Sequence, residues 1–78
     1  MKDYNAAIGR WLADKRKAAG MSQKDVAGAL GVSIAHVSRW EAGKRTIYAD
    51  TLIHYCAAVG ADPRLLLDDL EKEPYASL

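Results

Sequence analysis

Apolar positions recur along this chain at intervals of three and four, the spacing of helices that each bury one stripe. Over residues 4–19, Tyr4, Ile8, Leu12 and Ala19 fall on one such stripe, with Trp11 on its shoulder. Gly20 then predicts a left-handed stop, and Lys15, Arg16 and Lys17 sit at the negative end of the helix dipole. Ser22 supplies an N-cap oxygen for a second, short helix, with Asp25 three positions on as its capping-box partner. Val26, Ala27 and Leu30 give that helix an inner face before Gly31 ends it, and Ser33 caps a third helix almost at once. In the third helix, a turn of about 100° per residue sends Val37, Trp40 and Glu41 inward and Ala35, Ser38, Arg39 and Ala42 outward. Gly43 stops it, and Lys44-Arg45-Thr46 forms a basic loop. A fourth helix, over about 49–59, turns Leu52, Tyr55, Cys56 and Val59 inward before Gly60. Asp62-Pro63 reads as an N-cap with proline at the first helical position, opening a fifth helix to about residue 71; residues 73–78 are expected to fray. Period-two alternation of β-branched and aromatic residues is missing. The predicted class is therefore all-α, a compact bundle of five short helices in one domain spanning 1–78.

Composition narrows the setting. Seventy-eight residues suffice for one domain, and the 50% apolar, 27% charged balance is that of an ordinary folded chain. No apolar run approaches the roughly 20 residues needed to cross a bilayer. Arg10 interrupts the start before a secretory apolar stretch forms, and the single cysteine, Cys56, has no internal disulfide partner. A cytoplasmic, nucleoid-associated location is the expectation. A domain this small hides only about 60% of its unfolded surface, so self-association would add useful stability. The net charge of +1 hides an asymmetry: residues 1–45 carry nine Lys/Arg against four Asp/Glu, and residues 46–78 two against six. A basic front half suits a polyanion.

Function enters through the spacing of residues 22–42. Two short helices meet through Leu30-Gly31-Val32-Ser33, a turn too tight to let them lie antiparallel. Ala27 permits close approach, and Val26, Leu30, Val32, Val37 and Trp40 form a packed elbow that presents the second helix outward. Arg16, Gly20-Met21-Ser22-Gln23, Val26-Ala27, Leu30-Gly31-Val32-Ser33, Val37-Ser38-Arg39-Trp40-Glu41 and Gly43-Lys44-Arg45 stand in the order and spacing of a known family. The chain resembles the Cro/repressor-type (Xre-like) helix-turn-helix regulators of bacteria and phages over about residues 8–70, and Cys56 to Pro63 look like the closing helices of that family. The resemblance implies a lambda-repressor-like fold and a sequence-specific, double-stranded DNA-binding regulator, a repressor in the favoured reading. It also implies that Arg16 and Glu41 pair, tying the first helix to the end of the third.

On that reading the third helix enters the major groove. Arg39 is the best candidate for base readout, its fork matching guanine O6 and N7, with a solvated surface arginine as the bland alternative. Ile34 and Ala35 stand where the family often carries longer polar readers; they suit thymine methyl groups, and Ile34 fits equally well at the edge of the core. Ser38 is small enough for a base or a phosphate. Phosphate contacts are expected from Gln23, Ser33, Lys44 and Arg45, with His36 flanking the reading face, although Ser33 is also accounted for as a cap. Leu65 and Leu67 are surplus to the Leu66/Leu70 face. They fit either a homodimer interface, placing two recognition helices on a pseudo-palindromic operator, or a fuller core under the first helix.

Catalysis finds little support. His54 and Cys56 are two apart on one helix and point away from each other, and one cysteine with two histidines falls short of a zinc set. No phosphate-cradling or dinucleotide glycine motif occurs, and Asp68, Asp69, Glu71 and Glu73 read as a solvated helix face. No cofactor or metal is expected. The rival reading is an adaptor or antitoxin-like module acting through a protein partner, using an exposed Trp11, the surplus leucines and the acidic tail.

Overall fold

A computed structural model describes residues 2–78. Five α-helices follow one another: α1 (Tyr4–Ala18), α2 (Gln23–Leu30), α3 (Ile34–Glu41), α4 (Ala49–Val59) and α5 (Leu66–Leu70). Each start has a local cause. Asp3 Oδ1 accepts from the Ala6 N–H at 3.0 Å to open α1, and Ser22 with Asp25 forms a complete capping box at α2. Ser33 Oγ accepts from the His36 N–H at the head of α3. Asp62 and Pro63 begin a 3-10 turn, Pro63–Leu65, that runs directly into α5. Gly20, Gly31, Gly43 and Gly60 all take left-handed backbone angles, φ between 69° and 72°, where the chain leaves a helix. No helix among the described residues is long and apolar enough to cross a membrane.

The longest helix, α1, is the spine. It packs against α3, α4 and α5, while α2 is wedged between α3 and α4. The core consists of Ala7, Trp11 and Leu12 from α1, Val26 and Ala27 from α2, and Val37 and Trp40 from α3. Tyr55, Cys56 and Val59 from α4 and Leu66 and Leu70 from α5 complete it.

The buried stripe of α1 lies one position away from the expected one. Tyr4 is 51% exposed and Ala19 is exposed, whereas Trp11 is fully buried at the centre. Small Ala7 and Gly9 draw this face inward, a cue that large apolar residues alone do not give. Trp11 therefore offers nothing to a partner protein: its indole Nε1–H donates to Asp69 Oδ2 at 2.9 Å. Asp69 is correspondingly half-buried and does not belong to a freely solvated acidic face. The C-terminal segment differs too. Residues Tyr75–Ser77 form a 3-10 turn packed on α1, with the Tyr75 hydroxyl donating to Asp14 Oδ2 at 2.6 Å. Burial, then hydrogen bonding to Asp14, pushes the Tyr75 phenol up to about 12. Lys2 Nζ donates to the Leu70 carbonyl at 2.7 Å and fastens the other end of the chain to α5. A single aromatic with a distant carboxylate partner anchors this tail, and a local reading of residues 73–78 has no access to that partner.

Gly9 sets the distance between α1 and the end of α3. A Cβ built there would stand 2.4 Å from the Trp40 carbonyl oxygen and 2.6 Å from that of Glu41, both backbone atoms. Gly43 makes the reciprocal approach, since a Cβ there would lie 2.8 Å from Ala6 Cα. By contrast, a Cβ at Gly28, inside α2, meets nothing within 4 Å. Gly9→Ala is therefore expected to destabilise the fold by about 1–3 kcal/mol through overpacking. Gly28→Ala should stabilise it by about 0.5–1 kcal/mol through the lost glycine entropy. Urea unfolding midpoints check both, and a Gly9→Ala midpoint at or above wild type contradicts the close contact.

Candidate nucleic-acid interface

The α2–α3 corner is rigid for identifiable reasons. Gly31 turns the chain at φ 69°, and the Val32 N–H returns to the Ala27 carbonyl at 3.0 Å. Val26 and Ala27 then meet Val37 and Trp40 in the core. In α3, only Val37 and Trp40 are buried. The opposite strip, Ile34, Ala35, Ser38 and Arg39, is exposed and is not covered by any other helix of the chain. Ile34, at 46% exposure, lies on this strip and not in the core.

Beyond α3 the chain doubles back. Lys44 and Arg45 donate their backbone N–H groups to the Arg39 carbonyl at 2.9 and 3.3 Å, and Asn5 Nδ2 donates to Thr46 Oγ1 at 3.2 Å. The basic loop is thus fastened to α3 and α1 while the side chains of Lys44 and Arg45 stay exposed. Arg39, Lys44 and Arg45 take part in no ion pair among the described residues, whereas Asp14, Glu41, Asp62 and Asp68 are each paired internally. Lys24, exposed on the first turn of α2, is a further cation that the sequence reading passed over.

The end of α3 is held by a buried carboxylate. Glu41 Oε2 accepts from Arg16 Nε at 2.8 Å, and Oε1 accepts from Arg16 Nη2 at 2.9 Å, a two-pronged pair with side chains only 10% and 6% exposed. Arg16 Nη1 also donates to the Met21 carbonyl at 3.0 Å, so the guanidinium braces the α1–α2 turn as well. Oε1 further accepts from Gln23 Nε2 at 3.0 Å, and Oε2 from the Tyr55 hydroxyl. Burial raises the Glu41 carboxyl, but hydrogen bonds from Arg16, Tyr55 and Gln23 outweigh it and hold the group below its ordinary range. Burial, then hydrogen bonding to Glu41, pushes the Tyr55 phenol far up.

Two expected phosphate ligands are differently employed. The Gln23 amide faces inward to Glu41 and does not stand free at the head of α2; a carboxylate that accepts only hydrogen bonds captures its NH2 group. His36 Nδ1 lies 2.7 Å from Ser33 Oγ, and its ring sits 6.0 Å from that of Trp40, so His36 is half-buried against its own helix. Ser33 Oγ also accepts from the His36 N–H, so the two residues close on each other at the head of α3. His54 and Cys56 share no site: His54 is exposed in a shallow groove with Ala29, Leu30, Ala57 and Ala58, and Cys56 is fully buried, its thiol pushed up by burial.

Removing the Glu41 charge strands a buried guanidinium, at a cost on the order of 3–5 kcal/mol. Glu41→Gln should therefore melt lower by upwards of about 12 °C in a domain of this size. Because the folded carboxyl is held below its ordinary 4.5, it stabilises the protein above that value and ceases to do so as pH falls through the folded pKa. Thermal melts at several acidic pH values should show a steeper decline for wild type than for Glu41→Gln. A Glu41→Gln variant that melts like wild type at neutral pH contradicts the bridging role.

Comparison with known proteins agrees with this geometry. The chain matches the helix-turn-helix family over residues 12–66. Among solved structures it is similar to the restriction-modification controller protein C.AhdI from Aeromonas hydrophila, with a TM-score of 0.72 and 28% identity, covering 78% of this chain and 92% of that one. Curated proteins yield no match. A two-helix corner with one face packed and the other open, matched over most of its length, places this chain in the Cro/repressor-like (Xre) helix-turn-helix family: it is a DNA-binding transcription regulator and not an enzyme.

Proposed function

We propose that this protein is a sequence-specific repressor that inserts α3 into the major groove of a pseudo-palindromic operator as a homodimer. The observation that carries the reading is the open strip of α3, continued by unpaired cations at Lys44 and Arg45. Arg39 reads a base edge, Ile34 and Ala35 pack on thymine methyl groups, and Ser38 takes a base or phosphate within reach. Lys44 and Arg45 hold the backbone, together with the N–H groups at the heads of α2 and α3 around Gln23 and Ser33. Lys24 joins them. The similarity to a restriction-modification controller supports a regulator over an adaptor. Such a protein works where the DNA is, in the cytoplasm on the nucleoid.

Dimerisation is supported by apolar exposure away from the reading helix. Leu65 is 51% and Leu67 74% exposed, so neither fills the core under α1, and Ile53 on α4 is 56% exposed. A second copy covering these residues would set two α3 helices about 34 Å apart, one DNA turn. The repressor assignment rests on the resemblance to Cro/repressor-type regulators.

Selection of bound duplexes from a random pool is expected to return two inverted half-sites about 10 base pairs apart, centre to centre. On that duplex, Arg39→Ala should cost about 1–3 kcal/mol and relax preference at one position. Lys44→Ala should weaken all duplexes alike and reduce the salt slope by about 1. If neither change affects binding to any duplex, the adaptor reading wins. Replacing Leu65 and Leu67 together by aspartate should give a monomer in sedimentation and a weaker hold on the full site. A wild-type protein that is monomeric both free and on its selected duplex contradicts the homodimer.

A further inference from the structure

We propose that Tyr55 is a positioning residue for DNA recognition, acting through Glu41 on the orientation of α3. This rests on the reading of α3 as the recognition helix. Tyr55 belongs to α4, is fully buried, and touches no DNA-facing surface. Its single O–H has two acceptors in view, the Leu12 carbonyl at the 3.4 Å limit and the much closer Glu41 Oε2, so the proton goes to the carboxylate. Arg16 arrives at Glu41 from α1, Gln23 from α2 and Tyr55 from α4. Glu41 is the last residue of α3, so the C-terminal turn of that helix is fixed in rotation from three sides.

Arg39 lies in the same turn and rotates with Glu41. A side chain reaching about 6 Å from the helix axis moves about 1 Å for a 10° rotation. Two-pronged base contacts tolerate only about 0.5 Å or 10–20° of error. A rotation of even that size, on loss of one of the three constraints, would matter to readout. It is not large enough to dismantle the pair, because Arg16 still holds both oxygens of Glu41. Tyr55→Phe keeps the ring in the core and removes only the oxygen.

The test measures the ratio of affinity for the selected duplex to affinity for an unrelated duplex of the same length and salt. Tyr55→Phe is expected to lower that ratio about three- to tenfold, less than the full value of a hydrogen bond to a charged group because the effect reaches the base only through orientation. Val59→Ala, a core truncation one turn along the same helix that removes no hydrogen bond to Glu41, should lower the melting temperature and leave the ratio unchanged. In an Arg39→Ala background, Tyr55→Phe should lower the ratio by clearly less than in wild type, because the main contact it aligns is already gone. An unchanged ratio in Tyr55→Phe, an equal loss in Val59→Ala, or a full loss persisting in the Arg39→Ala background overturns the positioning role. A wild-type protein that prefers no duplex overturns the recognition reading itself, and this role with it.

Discussion

Four donors on one buried carboxylate govern the arrangement of this domain. Glu41 sits at the end of a helix only eight residues long, which buries just Val37 and Trp40. So small an apolar face cannot by itself fix a helix in rotation and translation. The directional contacts from Arg16, Gln23 and Tyr55 supply what apolar packing leaves free. The same contacts explain why a glycine must stand at position 9: α1 approaches the carbonyls of Trp40 and Glu41 too closely for any side chain there. Charge and close backbone approach therefore act at one place, where α1 meets the end of α3.

This arrangement separates the tasks of the two faces. Inward groups at the α2–α3 corner are satisfied within the chain, including Gln23, while the outward cations at 39, 44 and 45 form no ion pair among the described residues. Several acidic groups of the chain are engaged internally, Asp69 by Trp11 and Asp14 by Arg10 and Tyr75. A net charge of +1 thus understates the attraction one face can exert on a polyanion.

The helices and the corner were legible because their signals are local. Ser22 with Asp25, Gly31, Ser33 and Asp62-Pro63 each act within a few residues, and each appears in the structure where its chemistry requires. What escaped depends on partners far along the chain. Trp11 looked like a shoulder residue because its partner Asp69 lies 58 positions away, and Tyr75 looked frayed because Asp14 lies 61 away. Gln23 looked like a free phosphate ligand because its capture by Glu41 requires the corner to be folded first. Tyr55 read only as an apolar core position; its hydroxyl, inside a buried stripe, was the available hint that a polar partner had to exist.

Everything proposed for function depends on the exposed strip of α3 being the surface that meets DNA. Backbone-amide chemical shifts recorded while the protein is titrated with its selected duplex address it residue by residue. The largest changes are expected at Ser33 to Arg39 and at Lys44 and Arg45, with the outer faces of α4 and α5 little affected by the DNA itself. Changes concentrated on α4 and α5, with Ile34 to Arg39 unmoved, would contradict it.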